Sequence, residues 1–184
     1  GTPEAVLTEN HVERAFDTDA AVTRHPVTGA MDVTAVSAPP ERKVRVHVLG
    51  GGRTGARAIA TLAEAGFSVS TGVLTTTDAA LETARAHEVE TVTTEPFAPV
   101  DRNTRKRVTQ LVREADIAVL ARTDEPNRAL AAEAERLVVI DDERTDRMTE
   151  FENARVVGID GLLAGVETAL DTEPRRPELS AADD

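Results

Sequence analysis

The sequence of 184 residues contains no cysteine, no tryptophan and no tyrosine, and it has only four phenylalanines. The absence of cysteine excludes disulfides, thiolate metal sites and cysteine nucleophiles. Because aromatic side chains are so few, a hydrophobic core must be built from Val, Leu, Ile and Ala. A unit of about 130 residues with such a core can still bury roughly two thirds of its chain surface.

Lysine is almost absent as well. The chain has 33 acidic and 21 basic residues, and among the basic ones only Lys43 and Lys106 are lysines. An acidic, lysine-poor surface stays hydrated where molar salt screens charge to within about 3 Å. This composition predicts a halophilic cytoplasm, since an ordinary acidic mesophilic protein would rarely lose Lys while it keeps Arg. The acidic charge also argues against nucleic-acid binding.

Several catalytic and membrane motifs are missing too. No apolar run approaches the roughly 20 residues that cross a bilayer, so any link to a membrane must pass through a partner. No G-x-x-x-x-G-K-[ST] phosphate loop occurs, which leaves ATP hydrolysis without its machinery, and no G-x-S-x-G nucleophile elbow occurs. The four histidines lack metal-ligand spacing, and His47, inside an apolar run, is predicted to be a core histidine.

Apolar runs alternate with amphipathic ones through most of the chain. We predict a Pro-rich linker over 37–42, an accessory domain over 43–170 and a disordered acidic tail over 171–184. Within the domain we predict strands over 44–49, 68–74, 91–93, 117–121, 137–140 and 155–159, and helices over 54–65, 78–87, 102–114, 127–136 and 162–170. This alternation predicts an α/β fold, namely a Rossmann-like doubly wound sheet of about six mainly parallel strands in the order 3-2-1-4-5-6, with helices on both faces.

A glycine motif follows the first strand of this domain. Gly50, Gly52 and Gly55 satisfy G-x-G-x-x-G between a strand and a helix. In such a motif the first glycine makes the turn, the second lets amides approach phosphate and the third lets the helix pack on the strand. We expect Thr54 to cap the helix and Arg53 to meet a phosphate. The predicted anion-binding or nucleotide-binding residues here are Gly50, Gly51, Gly52, Arg53, Thr54 and Gly55.

The dinucleotide interpretation lacks one expected residue. An acidic side chain at the end of the second strand should hold the ribose hydroxyls, but Thr75 to Thr77 stand there, and Asp78 falls where a helix N-cap belongs. NAD is therefore less favoured than two alternatives. Either the glycines only permit a tight turn and close packing, or the loop binds an unidentified phosphate, carboxylate or nucleotide.

Parallel strands bring their carboxyl ends to one edge, where open α/β sheets bind ligands. Five residues could converge at that edge, namely Gly51, Thr75, Thr94, Arg122 and Asp141, although loop ends also favour such residues for solvation alone. Thr75 and Asp141 are therefore predicted ligand-binding residues together with the glycine loop. Asp141, Asp142 and Asp146 could hold a hard cation, but so acidic a chain forms such clusters by chance. We expect no metal.

Two further segments have two interpretations each. Residues 95–100, with two prolines and Phe97, form either a lid over that edge or a rigid linker, and Phe97 is expected to be buried in both cases. Arg102, Arg105, Lys106 and Arg107 form a basic cluster. Because they spread over more than one helix face, a solvated surface is favoured over a docking patch for an acidic partner.

The first 36 residues carry a family resemblance. Gly1 to Glu4 with Val6 to Thr8 resembles the "G-T-P-E-x-V-L-T" stretch near the end of ABC-transporter ATP-binding subunits, and 24–29 resembles their "R-H-P-V-T-G" hairpin. We predict a short helix with Val12, Ala15 and Phe16 on its apolar side, then strands over 20–25 and 31–36, with Gly29 in the turn between them. The pattern is typical of the ATPase subunits that power import of iron chelates and vitamin B12 (corrinoids), and the halophilic composition suggests a haloarchaeal member.

This resemblance implies that 1–36 closes an ATPase domain whose catalytic residues lie upstream of Gly1. The parent chain would then use ATP and Mg²⁺ and would have a membrane permease and a substrate-binding protein as partners. It would work as a homodimer at the cytoplasmic face of the cell membrane. Similar second domains, with a Gly-rich turn and an "E-x-P-F-x-P" segment, follow some prokaryotic ATPases of this type, but they supply no ligand to carry over.

Two functions remain open from the sequence. The first is a non-catalytic accessory domain of an importer ATPase, which senses a ligand or holds two subunits together, with corrinoid import slightly ahead of iron-chelate import. The alternative is an independent Rossmann-type enzyme with a nucleotide cofactor. The resemblance of 1–36 favours the first, and the missing acidic residue weakens the second.

We expect the midpoint of thermal unfolding to rise from low to molar KCl, because a net charge of −12 repels itself in the folded chain until salt screens it. Circular dichroism melting curves at both salt concentrations measure this. An uncharged osmolyte at equal osmolality is the control, since it stabilises without screening. A midpoint independent of KCl would contradict the halophilic interpretation.

Overall fold

The computed structural model describes residues 20–24, 30–35, 42–141, 151 and 154–172. The chain divides into two compact units, Gly1–Pro40 and Glu41–Asp184. The helix predicted before residue 20, the turn at Gly29 and the tail beyond residue 172 lie outside the described residues.

The first unit contains an antiparallel strand pair. Strand β1 (Ala20–Arg24) pairs with β2 (Met31–Ala35), and Val22 lies opposite Val33. Both strands stand where the sequence predicts them, and the last predicted residue of each, 25 and 36, lies outside the described residues.

The second unit is a six-stranded sheet whose described neighbours all pair in parallel. Its strands are β3 (Arg45–Leu49), β4 (Ser68–Thr75), β5 (Glu90–Thr94), β6 (Ile117–Leu120), β7 (Leu137–Ile140) and β8 (Arg155–Val157). Its helices are α1 (Gly52–Glu64), α2 (Ala79–Ala86), α3 (Arg102–Glu114), α4 (Glu125–Ala131) and α5 (Leu162–Leu170), with a 3₁₀ turn at Ile159–Gly161. The strand order β5-β4-β3-β6-β7-β8 confirms the predicted 3-2-1-4-5-6 order.

Both faces of the sheet are buried, which explains why its central strands are continuously apolar. On one face, Val46 and Val48 of β3 pack into a core with the helices α1, α2 and α5. On the other face, Leu49 and Leu120 pack with Val108 of α3 and with α4. Alternate residues of one strand therefore serve two cores, so a shift of register by one residue would exchange them.

Helix α4 differs most from its prediction, which was 127–136. It begins earlier because Asp124 is the N-cap and accepts a hydrogen bond from the Asn127 amide at 3.3 Å, and Pro126 follows in the first turn, where proline is favoured. It ends at Ala131. Strand β8 is also shorter than predicted, since the chain turns at Gly158 into the 3₁₀ turn.

His47 is buried at the centre of the sheet, as predicted for a core histidine. Its Nδ1 lies 2.8 Å from the hydroxyl oxygen of Ser70 on β4, whereas Nε2 has no hydrogen-bond partner among the described residues. Burial lowers the pKa of His47 to about 4, because a charged imidazolium would lose its hydration there. The histidine is therefore neutral in the folded protein at physiological pH.

The low pKa of His47 predicts a loss of stability on acidification. Below the unfolded pKa of about 6.5 the unfolded chain binds a proton that the folded chain does not, so unfolding becomes easier as the pH falls to about 4. We expect this to cost about 3 kcal/mol of unfolding free energy over that interval. Urea titrations at pH 7 and pH 4.5, at constant KCl, measure it.

The matched variant is His47→Gln, which cannot titrate. The titration of acidic residues weakens both proteins at low pH and therefore cancels in the comparison. The wild type should lose more stability than the variant between the two pH values, because only the wild type has the buried histidine. Equal losses would show that His47 does not set this pH dependence.

Candidate functional site

The glycine loop joins β3 to α1, and two of its glycines have conformations that other residues rarely adopt. Gly50 has φ +98° and Gly52 has φ +67°. A Cβ at Gly50 would collide with the backbone of Arg122, and one at Gly55 would collide with the Gly50 carbonyl oxygen. The first and third glycines of the motif therefore permit the turn and the close approach of helix and strand.

Helix α1 starts earlier than the sequence suggests. Its N-cap is Gly51, which has no side chain to accept a hydrogen bond, so Thr54 is the third helical residue and not the predicted cap. Thr54 is half-buried, and the Arg53 side chain extends into solvent. The prediction was wrong because glycine is a weaker cap signal than threonine, although it is an accepted one.

The carboxylate of Asp78 lies against this loop. Its Oδ1 accepts hydrogen bonds from the Gly52 amide and from the Ala80 amide, both at 2.8 Å. A Cβ on Gly51 would collide with the same carboxylate, so only glycine leaves room for it. Asp78 is thus the N-cap of α2, as the sequence predicts, and it also bonds the first amide of α1.

This second role has an electrostatic consequence. Amides at a helix N-terminus attract anions, and in dinucleotide-binding loops they hold phosphate. Here the amide of Gly52 is already bonded to a carboxylate of the same chain. A phosphate that approached the loop would meet that negative charge and would compete with it for the same donor.

The other predicted site residues lie on the same edge of the sheet but do not meet the loop as one cluster. Thr75 ends β4, and Asp141 follows β7, three strand spacings away in the sheet order, or about 14 Å. Arg122 follows β6 and pairs with Asp124 at 3.2 Å. Asp141 is exposed, and its amide donates to the Val157 carbonyl.

A metal site receives no support from the residues that the structure covers. In that part of the chain no three His, Asp or Glu side chains are grouped so that they could hold an ion. Asp142 and Asp146, which the sequence places near Asp141, lie outside the described residues.

A cleft of about 780 Å³ opens beside Thr75, on the sheet face covered by α3 and α4. Its apolar lining includes Val73, Val108 and Leu130, and Thr75 and Thr94 present hydroxyls at the ends of β4 and β5. Residues 95–100 form part of its wall, a position that fits both the lid and the linker interpretation of this segment. The glycine loop is not among its lining residues.

Phe97, however, is fully exposed, so the expectation that it is buried was wrong. The Ala98 amide donates to the Glu95 carbonyl at 3.1 Å, which closes a turn with Pro96 at its second position and Phe97, with φ +63°, at its third. This is the pattern of a type II turn, whose third position is normally glycine. Phe97 therefore stands at the tip of the turn, at the rim of the cleft.

The predicted basic cluster spreads over the surface of α3. Arg107 pairs with Glu90 of β5, and the side chain of Arg105 lies on the cleft wall. Arg102 and Lys106 are exposed. All four basic residues are exposed, which agrees with the interpretation as a solvated helix surface, and Arg105 in addition lines the cleft.

The six-stranded parallel sheet with helices on both faces defines the Rossmann-like α/β class. Residues 69–162, just over half of the 184 residues, match the model of the MJ0874 family. The chain belongs to the MJ0874 family, and the matched residues lie within the second unit.

Two curated proteins, from two strains of Halobacterium salinarum, are also similar to this chain. Both are described as the cobalamin import ATP-binding protein BtuD, and each is 36% identical over 123 residues, which covers 64% of this chain and 29% of the relative. The chain thus spans less than a third of the length of the curated relatives that it matches. The similarity supports a region related to ABC ATPases.

Solved structures resemble the chain more weakly. BdcA in complex with NADPH is 22% identical, with a TM-score of 0.41, and the match covers 71% of this chain and 62% of that one. A transhydrogenase from Sinorhizobium meliloti is 21% identical, with a TM-score of 0.40, over 86% of this chain and 49% of that one.

The double role of Asp78 predicts an unequal effect of two capping mutations. Asp78→Ala should lower the free energy of unfolding by roughly 2–3 kcal/mol, because it removes the cap of α2 and leaves the Gly52 amide without its acceptor. The matched control is Asp101→Ala, since Asp101 caps α3 through groups of its own helix only, namely two amides and the Thr104 hydroxyl. Urea unfolding measures both variants. A loss at Asp101 equal to that at Asp78 would contradict the bridging role.

Proposed function

We propose that this chain is the C-terminal part of the ATP-binding subunit of an ABC importer, with corrinoids slightly ahead of iron chelates as cargo. In this proposal residues 1–36 close the ATPase domain, and residues 43–170 form a non-catalytic accessory domain that senses a ligand or holds two subunits together. The rest of the parent chain supplies the ATP and Mg²⁺ sites.

This proposal rests on how much of the chain is similar to the cobalamin import ATP-binding proteins. The match covers 64% of the chain, whereas the first unit, Gly1–Pro40, is less than a quarter of it. The similarity must therefore extend well into the second unit. A Rossmann-like domain shared with such proteins is better explained as part of the transport ATPase than as an unrelated enzyme.

The chemistry of the chain agrees with a non-catalytic role. Phosphoryl transfer needs a phosphate-cradling loop with Lys and a hydroxyl for Mg²⁺, and the sequence has no such motif. The glycine loop offers little in its place, because the Gly52 amide is bonded to Asp78. This contact also favours the accessory role over the alternative, a Rossmann-type enzyme that binds a nucleotide cofactor at that loop.

The proposed setting is the inner face of the cell membrane in a halophilic cell, reached through a permease, with a homodimeric ATPase and a substrate-binding protein as further partners. In the residues covered by the structure no helix is both long enough and apolar enough to span a bilayer. Contact with the membrane would then come through the permease.

We expect the isolated chain to release no phosphate from Mg-ATP above the buffer blank, since it has no residues for that reaction. We also expect the coding sequence upstream of Gly1 to contain a G-x-x-x-x-G-K-[ST] motif. The second observation tests the parentage directly. A reading frame that begins near Gly1, or ATP turnover that is lost on mutation of Gly52, would contradict the proposal.

The alternative function gives a different result in titrations. A nucleotide-dependent enzyme should bind NADH or NADPH at the glycine loop, and Gly52→Val should weaken that binding. Apart from its chain neighbours and its own helix backbone, no atom of the described residues lies within 4 Å of a Cβ built at Gly52. The valine would therefore project into the approach to the loop, at the cost of a strained backbone. Saturable cofactor binding with this sensitivity would favour the enzyme, and calorimetry at molar KCl decides it.

A further inference from the structure

We propose that the cleft between α3, α4 and residues 95–100, rather than the glycine loop, is the ligand site of the second unit. Its ligand would be a small organic anion with a flat apolar body and one acidic group. This inference concerns the second unit alone and holds whether or not the transporter function is right.

The cleft has the size and the lining of a small-molecule site. Its volume of about 780 Å³ lies within the range of ligand pockets, and its surface combines apolar side chains such as Val73, Val108 and Leu130 with a few polar groups. The hydroxyls of Thr75 and Thr94 stand at the carboxyl ends of neighbouring parallel strands, the edge at which open α/β sheets bind ligands.

Phe97 indicates a flat apolar partner. The turn from Glu95 to Ala98 fixes its backbone at φ +63°, where glycine would fit without strain, and its ring is fully exposed. A fully exposed Phe in a strained conformation stabilises nothing in the free chain. At the rim of the cleft, the ring can cover a planar apolar group, which would bury both surfaces.

Among the charged groups of the cleft wall, Arg105 is the one that indicates an acidic group on the ligand. Three of its four carboxylates already have arginine partners, in the pairs Arg122–Asp124, Arg128–Glu125 and Arg113–Glu133. The fourth, Glu95, lies 3.4 Å from the hydroxyl of Thr76. Arg105 is the basic residue of the lining, and it has no carboxylate partner within the described residues.

An unpaired guanidinium beside an apolar surface is suited to a carboxylate, sulfonate or phosphate. The net charge of −12 does not prevent this, because at molar salt repulsion is screened within about 3 Å and only local contacts count.

The probe for the experiment is 8-anilinonaphthalene-1-sulfonate, which has a flat apolar body and one anionic group. Its fluorescence should rise saturably with the folded chain at molar KCl. Phe97→Gly and Arg105→Gln should each weaken binding about tenfold, through lost ring contact and lost charge. The uncharged N-phenyl-1-naphthylamine should bind the wild type less tightly than the sulfonate does. Because it has no charge to lose, it should bind Arg105→Gln as tightly as it binds the wild type.

Matched controls separate the site from the general surface. Val156→Ser removes the other large exposed apolar side chain among the described residues, and Arg102→Gln removes a neighbouring arginine of α3; both should leave sulfonate binding unchanged. Phe97→Gly relieves the strained turn, so its melting temperature should not fall, and weaker binding then cannot be a folding defect.

Three results would overturn the proposal. In the first, neither cleft mutation weakens sulfonate binding. In the second, the two control mutations weaken it as much as the cleft mutations do. In the third, Gly52→Ala weakens it more than Phe97→Gly does. The last result would place the ligand at the glycine loop instead.

Discussion

The carboxylate of Asp78 joins two helices to the turn that follows β3, the first strand of the second unit. It accepts hydrogen bonds from the first amide of α1 and from an amide of α2, and it fits only because Gly51 has no side chain. Both helices point their positive ends at it, so one negative charge stabilises two helix N-termini. Strand β3, the glycine turn and the helices that cover β3 and β4 therefore depend on one side chain.

That contact changes the meaning of the glycine motif. Gly50 and Gly55 serve the turn and the packing of α1, whereas Gly51 makes room for a carboxylate of the same chain. Sequence alone left two interpretations open, architecture and an anion site, and the geometry contains elements of both: the loop does bind an anion, but an internal one. A sheet edge with its first phosphate donor already occupied leaves the neighbouring cleft as the open part of that edge.

Periodicity predicted the fold because both sheet faces are buried, so β6 and β7 are apolar throughout and each amphipathic helix shows a clear stripe. The strand order followed from the topology of alternating strands and helices. The sequence predicted the candidate site less well than the fold. The bond from Gly52 to Asp78 spans 26 residues and leaves no local signal, and the exposure of Phe97 depends on a turn that places a bulky residue where glycine is expected.

The distribution of strain and charge separates the two parts of this sheet edge. Around the glycine loop the strained positions are glycines, and Asp78, Arg122 and Asp124 have partners, as expected of a structural element. Around the cleft the strained position is an exposed Phe, and Arg105 is unpaired among the described residues. A strained backbone and an unpaired charge do not stabilise the folded chain, and such features are typical of ligand-binding sites. A ligand site of this kind needs no catalytic residue, because Phe97 would supply an apolar ring and Arg105 a positive charge from the cleft itself.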